Sequence, residues 1–129
     1  MILLDTHALI WLAREPSKLS LAATEAIRSS AQSGGLAISA MTIWELAWLA
    51  THSRLNLREP VDDFVEELTS RTAIRPITPR IAILANQLPA TYPSDPSDRL
   101  IGATALAEGI PLVTKDRSIR SCKQIKTIW

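Results

Sequence analysis

The sequence predicts an α/β domain on a mainly parallel sheet, and three observations carry that prediction. Short apolar runs alternate with longer segments of helical periodicity along the whole chain. The first run, Met1-Ile2-Leu3-Leu4, lacks polar alternation, as expected of a strand buried on both faces. The 129 residues, 47% of them hydrophobic, allow one compact domain spanning 1–129 with a sizeable core and are too few for two.

Each element follows from local chemistry. After the opening strand, Leu9, Ile10, Trp11 and Leu12 lie in a short helix from Thr6 to Ala13, with Thr6 as candidate cap and Pro16 as its limit. Ser20 caps a second helix over Leu21–Gln32, stopped by Gly34-Gly35. Leu36-Ala37-Ile38 reads as a buried strand. The almost wholly apolar Met41–Thr51 follows as a helix, with Trp44 and Trp48 expected in the core or, alternatively, with part of their face forming a dimer or partner-protein contact. Val61–Ser70 forms an amphipathic surface helix, and Ala73–Ile77 a strand that Pro76 consigns to an edge. Thr78-Pro79 opens a helix to about Leu88, and Pro89–Ser94 is a loop. Pro96–Glu108 is a helix ended by Gly109 and Pro111, and Leu112–Thr114 and Ile125–Ile128 complete the strands.

The formal charge of +1 hides segregation. Glu59, Asp62, Asp63, Glu66 and Glu67 form an acidic run, whereas Lys115, Arg117, Arg120, Lys123 and Lys126 crowd the C-terminal end. The plain reading of each run is a solvated face. Cys122, the only cysteine, cannot form an internal disulfide, and no Cys/His cluster offers a zinc site. The opening run lacks the basic flank and length of a signal peptide, and no apolar stretch suffices to span a bilayer. A soluble protein of the reducing cytoplasm is expected.

Four acids stand where a charge needs explaining. Asp5 ends the first strand, and capping is its bland role. Glu45 is the one charge in Met41–Ala50, so burying that helix buries a carboxylate, which costs several kcal/mol unless paired. Thr42 and Glu45 also have the spacing of a capping box, and both readings stand. Asp98 lies one turn into a helix capped by Asp95, where the dipole alone favours an acid. Asp116 follows a strand and suits a turn or a cap. Each bland role explains one acid; none explains their recurrence at element ends along one rim of a sheet, where ligands of parallel sheets bind. Gathered carboxylates stay ionised with a cation between them, and oxygen donors suit Mg²⁺ or Mn²⁺. Such a site supports in-line hydrolysis of a phosphodiester.

In order, LLDTHALIW, ISAMTIWELA, DPSDRLIGATA and LVTKD resemble the four acidic motifs of PIN-domain nucleases, nearest to VapC-type toxins of toxin–antitoxin pairs. The resemblance covers the whole chain. It implies a PIN-like fold with a mainly parallel sheet of about five strands flanked by helices on both sides. It further implies catalytic, metal-binding acids at Asp5, Glu45, Asp98 and Asp116, with Thr6 and Thr114 in support, and an endoribonuclease dependent on Mg²⁺ or Mn²⁺. Such proteins are usually homodimers inhibited by a cognate VapB-like antitoxin. The chain departs at Pro93, where many relatives carry His two residues before the first Asp of the third motif, which bears on loop detail and substrate contacts. Arg99, Lys115, Arg117 and Arg120 are candidate RNA contacts, since phosphate contact supplies most sequence-independent affinity. His7 is read first as structural, with proton transfer as its sharper role. A receiver-type phosphoacceptor domain is the regulatory alternative, but Leu36-Ala37-Ile38-Ser39 ends in no acid. An Asp-x-Asp phosphatase meets His7 at its second Asp, and a PIN-fold binding module would have no need of all four acids.

Overall fold

The computed structural model describes every residue from Met1 to Trp129. Ile2–Leu4 form strand β1, followed by helix α1 (Thr6–Arg14), a 3₁₀ turn at Pro16–Lys18, α2 (Leu21–Gln32), β2 (Leu36–Ser39) and α3 (Ala40–Thr51). Then come α4 (Val61–Thr69), β3 (Ala73–Arg75), α5 (Pro79–Gln87), α6 (Pro96–Glu108), β4 (Leu112–Val113), α7 (Arg117–Arg120) and β5 (Thr127–Ile128). The five strands make one sheet in the order β3-β2-β1-β4-β5, and every pair is parallel.

The chain builds outward from β1 in one direction through β2 and β3, then crosses to the other side of β1 for β4 and β5. The strand order therefore reverses at β1, and the crevice between the carboxyl ends of β1 and β4 is where such sheets hold ligands. Leu3 pairs with Leu112 and Leu4 with Val113, so Asp5 and Thr114 leave the sheet side by side.

Both faces of β1 are covered, which is why its residues need no alternation. Ile2, Leu4, Ile38 and Val113 pack into a core with Leu9, Ile27, Leu46 and Phe64 from α1 to α4. On the opposite face Leu3, Ala37 and Leu112 meet Ile101, Ala105 and Tyr92. Residue alternation along one three-residue strand thus ties two helical layers together.

Most helix boundaries follow their caps: Ser20 accepts from the Ala23 N–H at 3.0 Å and Thr78 from that of Ile81 at 3.2 Å. Gly109 ends α6 in the left-handed conformation, φ 64°. The third strand stops at Arg75, before Pro76, and lies at an edge as expected. The last strand begins two residues later than the sequence suggests, and Ile125 is buried below it. The acidic run is not wholly solvated, since Glu59 and Glu67 flank Arg14 at 3.3 and 2.7 Å. No helix is long and apolar enough to cross a membrane.

Tyr92 connects the fold to the crevice. Its buried hydroxyl donates to the Asp98 carbonyl at 2.7 Å, joining the loop before α6 to its first turn. Gly102, one turn on, leaves the space that this ring fills, and a Cβ there would overlap the Tyr92 hydroxyl. Gly102→Ala should therefore lower stability by about 1–3 kcal/mol, because a rigid buried ring must move. Thermal denaturation checks this, and an unchanged midpoint would contradict the packing account.

Candidate functional site

A cavity of about 390 Å³ opens at the carboxyl end of β1, lined by Asp5, Glu45, Asp95, Asp98 and Asp116 together with Thr6, His7, Trp11 and Lys115. All four acids singled out in the sequence meet there, each delivered by a different part of the fold. Asp5 follows β1, Glu45 projects from α3, Asp98 sits in the first turn of α6, and Asp116 follows β4. The amino ends of α1 and α6 both face this region, and their partial positive charge offsets some of the acidity.

Capping and clustering turn out to be one arrangement rather than rival explanations. Asp5 Oδ1 caps α1 by accepting from the Ala8 N–H at 2.7 Å. Asp116 Oδ1 caps α7, accepting from Ser118 at 2.8 Å and Ile119 at 3.0 Å. Asp95 Oδ1 accepts from Ser97 at 2.8 Å. Each cap bond goes to Oδ1, which fixes the carboxylate.

Thr6 is therefore not the cap of α1. Its buried hydroxyl donates to Glu45 Oε1 at 2.5 Å and lies 3.1 Å from the Thr42 hydroxyl. Since Thr6 has one proton and gives it to Glu45, Thr42 is the donor of the second bond. No capping box forms between Thr42 and Glu45, because Ser39 caps α3, accepting from Met41 at 3.1 Å. Thr42 is inside the first turn, and Glu45 is held across the crevice by Thr6.

The electrostatics record the crowding. Burial is the main cause that pushes the Asp98 carboxyl up to about 6, and the charges of Asp95, Glu45, Asp116 and Asp5 add to it. Burial also raises Asp5, helped by Glu45 and opposed by the Thr114 hydroxyl, the Ala8 N–H and His7. An all-oxygen donor set that repels itself is the chemistry a hard divalent cation suits. Asp5, Glu45, Asp98 and Asp116 are the side chains that could hold one. No three His, Cys, Asp or Glu side chains stand close enough together to clasp a single ion directly.

The remaining candidates separate into three groups. Thr114 is fully buried, and its hydroxyl accepts from the Asp116 N–H at 3.2 Å besides bonding Asp5. Lys115 lines the cavity with its Nζ 5.8 Å from the Trp11 ring centre, and His7 packs obliquely on the same ring at 5.7 Å. Arg117 and Arg120 are exposed on α7, outside the cavity.

Arg99 departs from its expected role as an RNA contact. Its guanidinium donates to the carbonyls of Ala85, Leu88, Pro89 and Tyr92 at 3.1–3.5 Å, which ties down the loop between α5 and α6. Nor are Trp44 and Trp48 core: they are 57% and 37% exposed. Asp95 and Trp11 are cavity residues that the sequence reading assigned to capping and to helix packing alone. The spacing Asp95-Pro96-Ser97-Asp98 held the signal for Asp95, because a cap and an acid one turn in share one rim.

Residues 2–123 match the family described as the PIN domain. The chain belongs to the PIN-domain family. Over 130 aligned residues, covering 99% of this PIN domain and 98% of the other protein, it is 42% identical to ribonuclease VapC22 of Mycobacterium tuberculosis. Solved structures that share its fold include two VapBC assemblies. One is VapBC2 of Rickettsia felis bound to a promoter DNA fragment, with a TM-score of 0.75, 19% identity, and coverage of 98% of this chain and 97% of that one. The other is DNA-bound VapBC of Salmonella typhimurium, with a TM-score of 0.75, 23% identity and the same two coverages. Family membership removes the receiver-type alternative.

The Asp98 shift predicts how the metal-free PIN domain responds to pH. Its carboxyl binds a proton more tightly folded than unfolded, where 3.8 is the ordinary value, so stability falls as pH rises from about 4 through 6 and stays lowered above that. Asp98→Asn should relieve this by about 1 kcal/mol at pH 7, a value reduced for the group's solvent exposure, and by nothing near pH 4. Melts of chelator-treated protein across that range check it. A variant less stable than wild type at pH 7 would contradict the crowding account.

Proposed function

We propose that this PIN domain is a metal-dependent endoribonuclease that hydrolyses RNA phosphodiester bonds as the toxin of a toxin–antitoxin pair. The observation that carries the reading is the convergence of Asp5, Glu45, Asp98 and Asp116 on one cavity, in a chain 42% identical to a ribonuclease. These four carboxylates are the catalytic and metal-holding set, with Mg²⁺ or Mn²⁺ as the ion they suit. When bound, the ion supplies positive charge against the phosphodiester and acidifies water for attack on phosphorus.

The chain's own residues account for the remaining work. The Ala8 N–H and Thr114 orient Asp5, and Thr6 aims Glu45 across the crevice. Such outer hydrogen bonds set the direction of a ligand oxygen. Lys115 at the cavity wall meets the substrate's negative charge, and Arg117 and Arg120 extend a basic surface for the RNA backbone. The inhibitor is a VapB-like antitoxin, a reading supported by the VapBC assemblies that share the fold. The active form is a homodimer acting in the cytoplasm.

Asp5→Ala and Asp98→Asn should each lower metal-dependent cleavage of a mixed RNA pool by roughly a hundredfold or more while remaining folded. Thr6→Val should cost roughly ten- to a hundredfold, because Glu45 loses its orienting donor. Gel assays with Mg²⁺, Mn²⁺ and chelator read both. Undiminished cutting by folded Asp98→Asn protein would sink the assignment of the acids.

A further inference from the structure

Beside the acidic cavity lies a second hollow of about 390 Å³, walled by Trp44, Trp48 and Leu49 and sharing Glu45 and Asp95 with its neighbour. Its volume is that of a small-molecule site. Ser97 also lines it, and the Ser97 hydroxyl is buried with no hydrogen-bond partner in the protein.

The two tryptophans differ in a telling way. Trp48 is already occupied, with His52 stacked on it at 4.2 Å and 17° and Arg54 5.9 Å from its ring centre. Trp44 has neither a ring nor a cation partner and is the more exposed of the two. One fixed indole and one free indole, a turn apart on α3, make a stacking site with a rigid side.

We propose that this hollow is a nucleobase subsite, which holds the base next to the scissile phosphate of single-stranded RNA by stacking on Trp44. This deepens the nuclease reading and rests on it. Unpaired bases are held by stacking on aromatic side chains, which is sequence-tolerant because every base has a π-face. The hollow adjoins the acidic cavity and shares Glu45 and Asp95 with it, so a base held here leaves its phosphate beside the four acids. Apart from the indole N–H groups and the Ser97 hydroxyl, the polar side chains lining it are the carboxylates of Glu45 and Asp95, which only accept. Acceptors fit the exocyclic amino group of cytosine, which uracil lacks.

The test uses the full-length protein with Mn²⁺, on poly(C), poly(U) and a mixed RNA pool, comparing wild type with Trp44→Ala and Trp44→Phe. Wild type should cut poly(C) faster than poly(U). Trp44→Ala should raise KM by roughly tenfold or more with a smaller change in kcat, and Trp44→Phe should restore most of it. In the pool, Trp44→Ala should flatten the base preference at one position adjoining the cut. Circular dichroism and sedimentation accompany each variant and should not change. If Trp44→Ala cuts with wild-type KM and preference, the subsite is wrong and the nuclease reading stands. If its loss of cutting comes with a changed sedimentation mass, Trp44 belongs to a protein contact and the subsite is again wrong. If wild type cuts no RNA with any metal, the nuclease reading falls and takes the subsite with it.

Discussion

Desolvation of carboxylates at the carboxyl end of β1 is the constraint on which the rest of the structure depends. Asp5 leaves the most enclosed strand of the sheet, and burial raises its proton affinity although three groups pull the other way. A charge so placed must be oriented and compensated, or it protonates. The surrounding elements supply orientation: α1 through the Ala8 N–H, the end of β4 through Thr114, and α3 through Glu45 on Thr6. Compensation is only partial in the chain itself, as the Asp98 value of about 6 records. The shortfall is what a bound cation would supply.

The fold and this site share their determinants. Because strand order reverses at β1, the crevice opens beside a strand covered on both faces. Small residues of α6 let that helix press on the sheet and carry Asp95 and Asp98 to the crevice. Tyr92 and Arg99 then fix the preceding loop through backbone carbonyls. Loss of packing at Gly102 would therefore be felt at Asp98, one turn away. Lys115 brings positive charge to the cavity wall, its Nζ 5.8 Å from the Trp11 ring centre.

Much of this was legible in the sequence, because caps and breakers act locally. Ser20, Thr78, Asp95 and Gly109 mark helix ends through side-chain chemistry that needs no tertiary context. The ordered acids marked the cavity, since strand-helix alternation fixes which rim their positions share. What escaped depends on neighbours distant in sequence. The apolar run of α3 reads as a buried helix, yet only Thr42 and Leu46 are fully enclosed, and periodicity cannot tell a core face from an exposed aromatic one. Thr42 and Glu45 matched a capping box until Ser39 began the helix earlier and Thr6 arrived from another element. Arg99 looked available beside Asp98 because its carbonyl partners lie ten or more residues upstream for three of its four bonds.

The central claim is that these acids form a cation site, and anomalous diffraction from crystals grown with Mn²⁺ tests it most directly. A peak enclosed by Asp5, Glu45, Asp98 and Asp116, absent from Asp5→Ala crystals grown alike, is the predicted result. Peaks confined to other parts of the surface, with these carboxylates ordered and water alone between them, would contradict it.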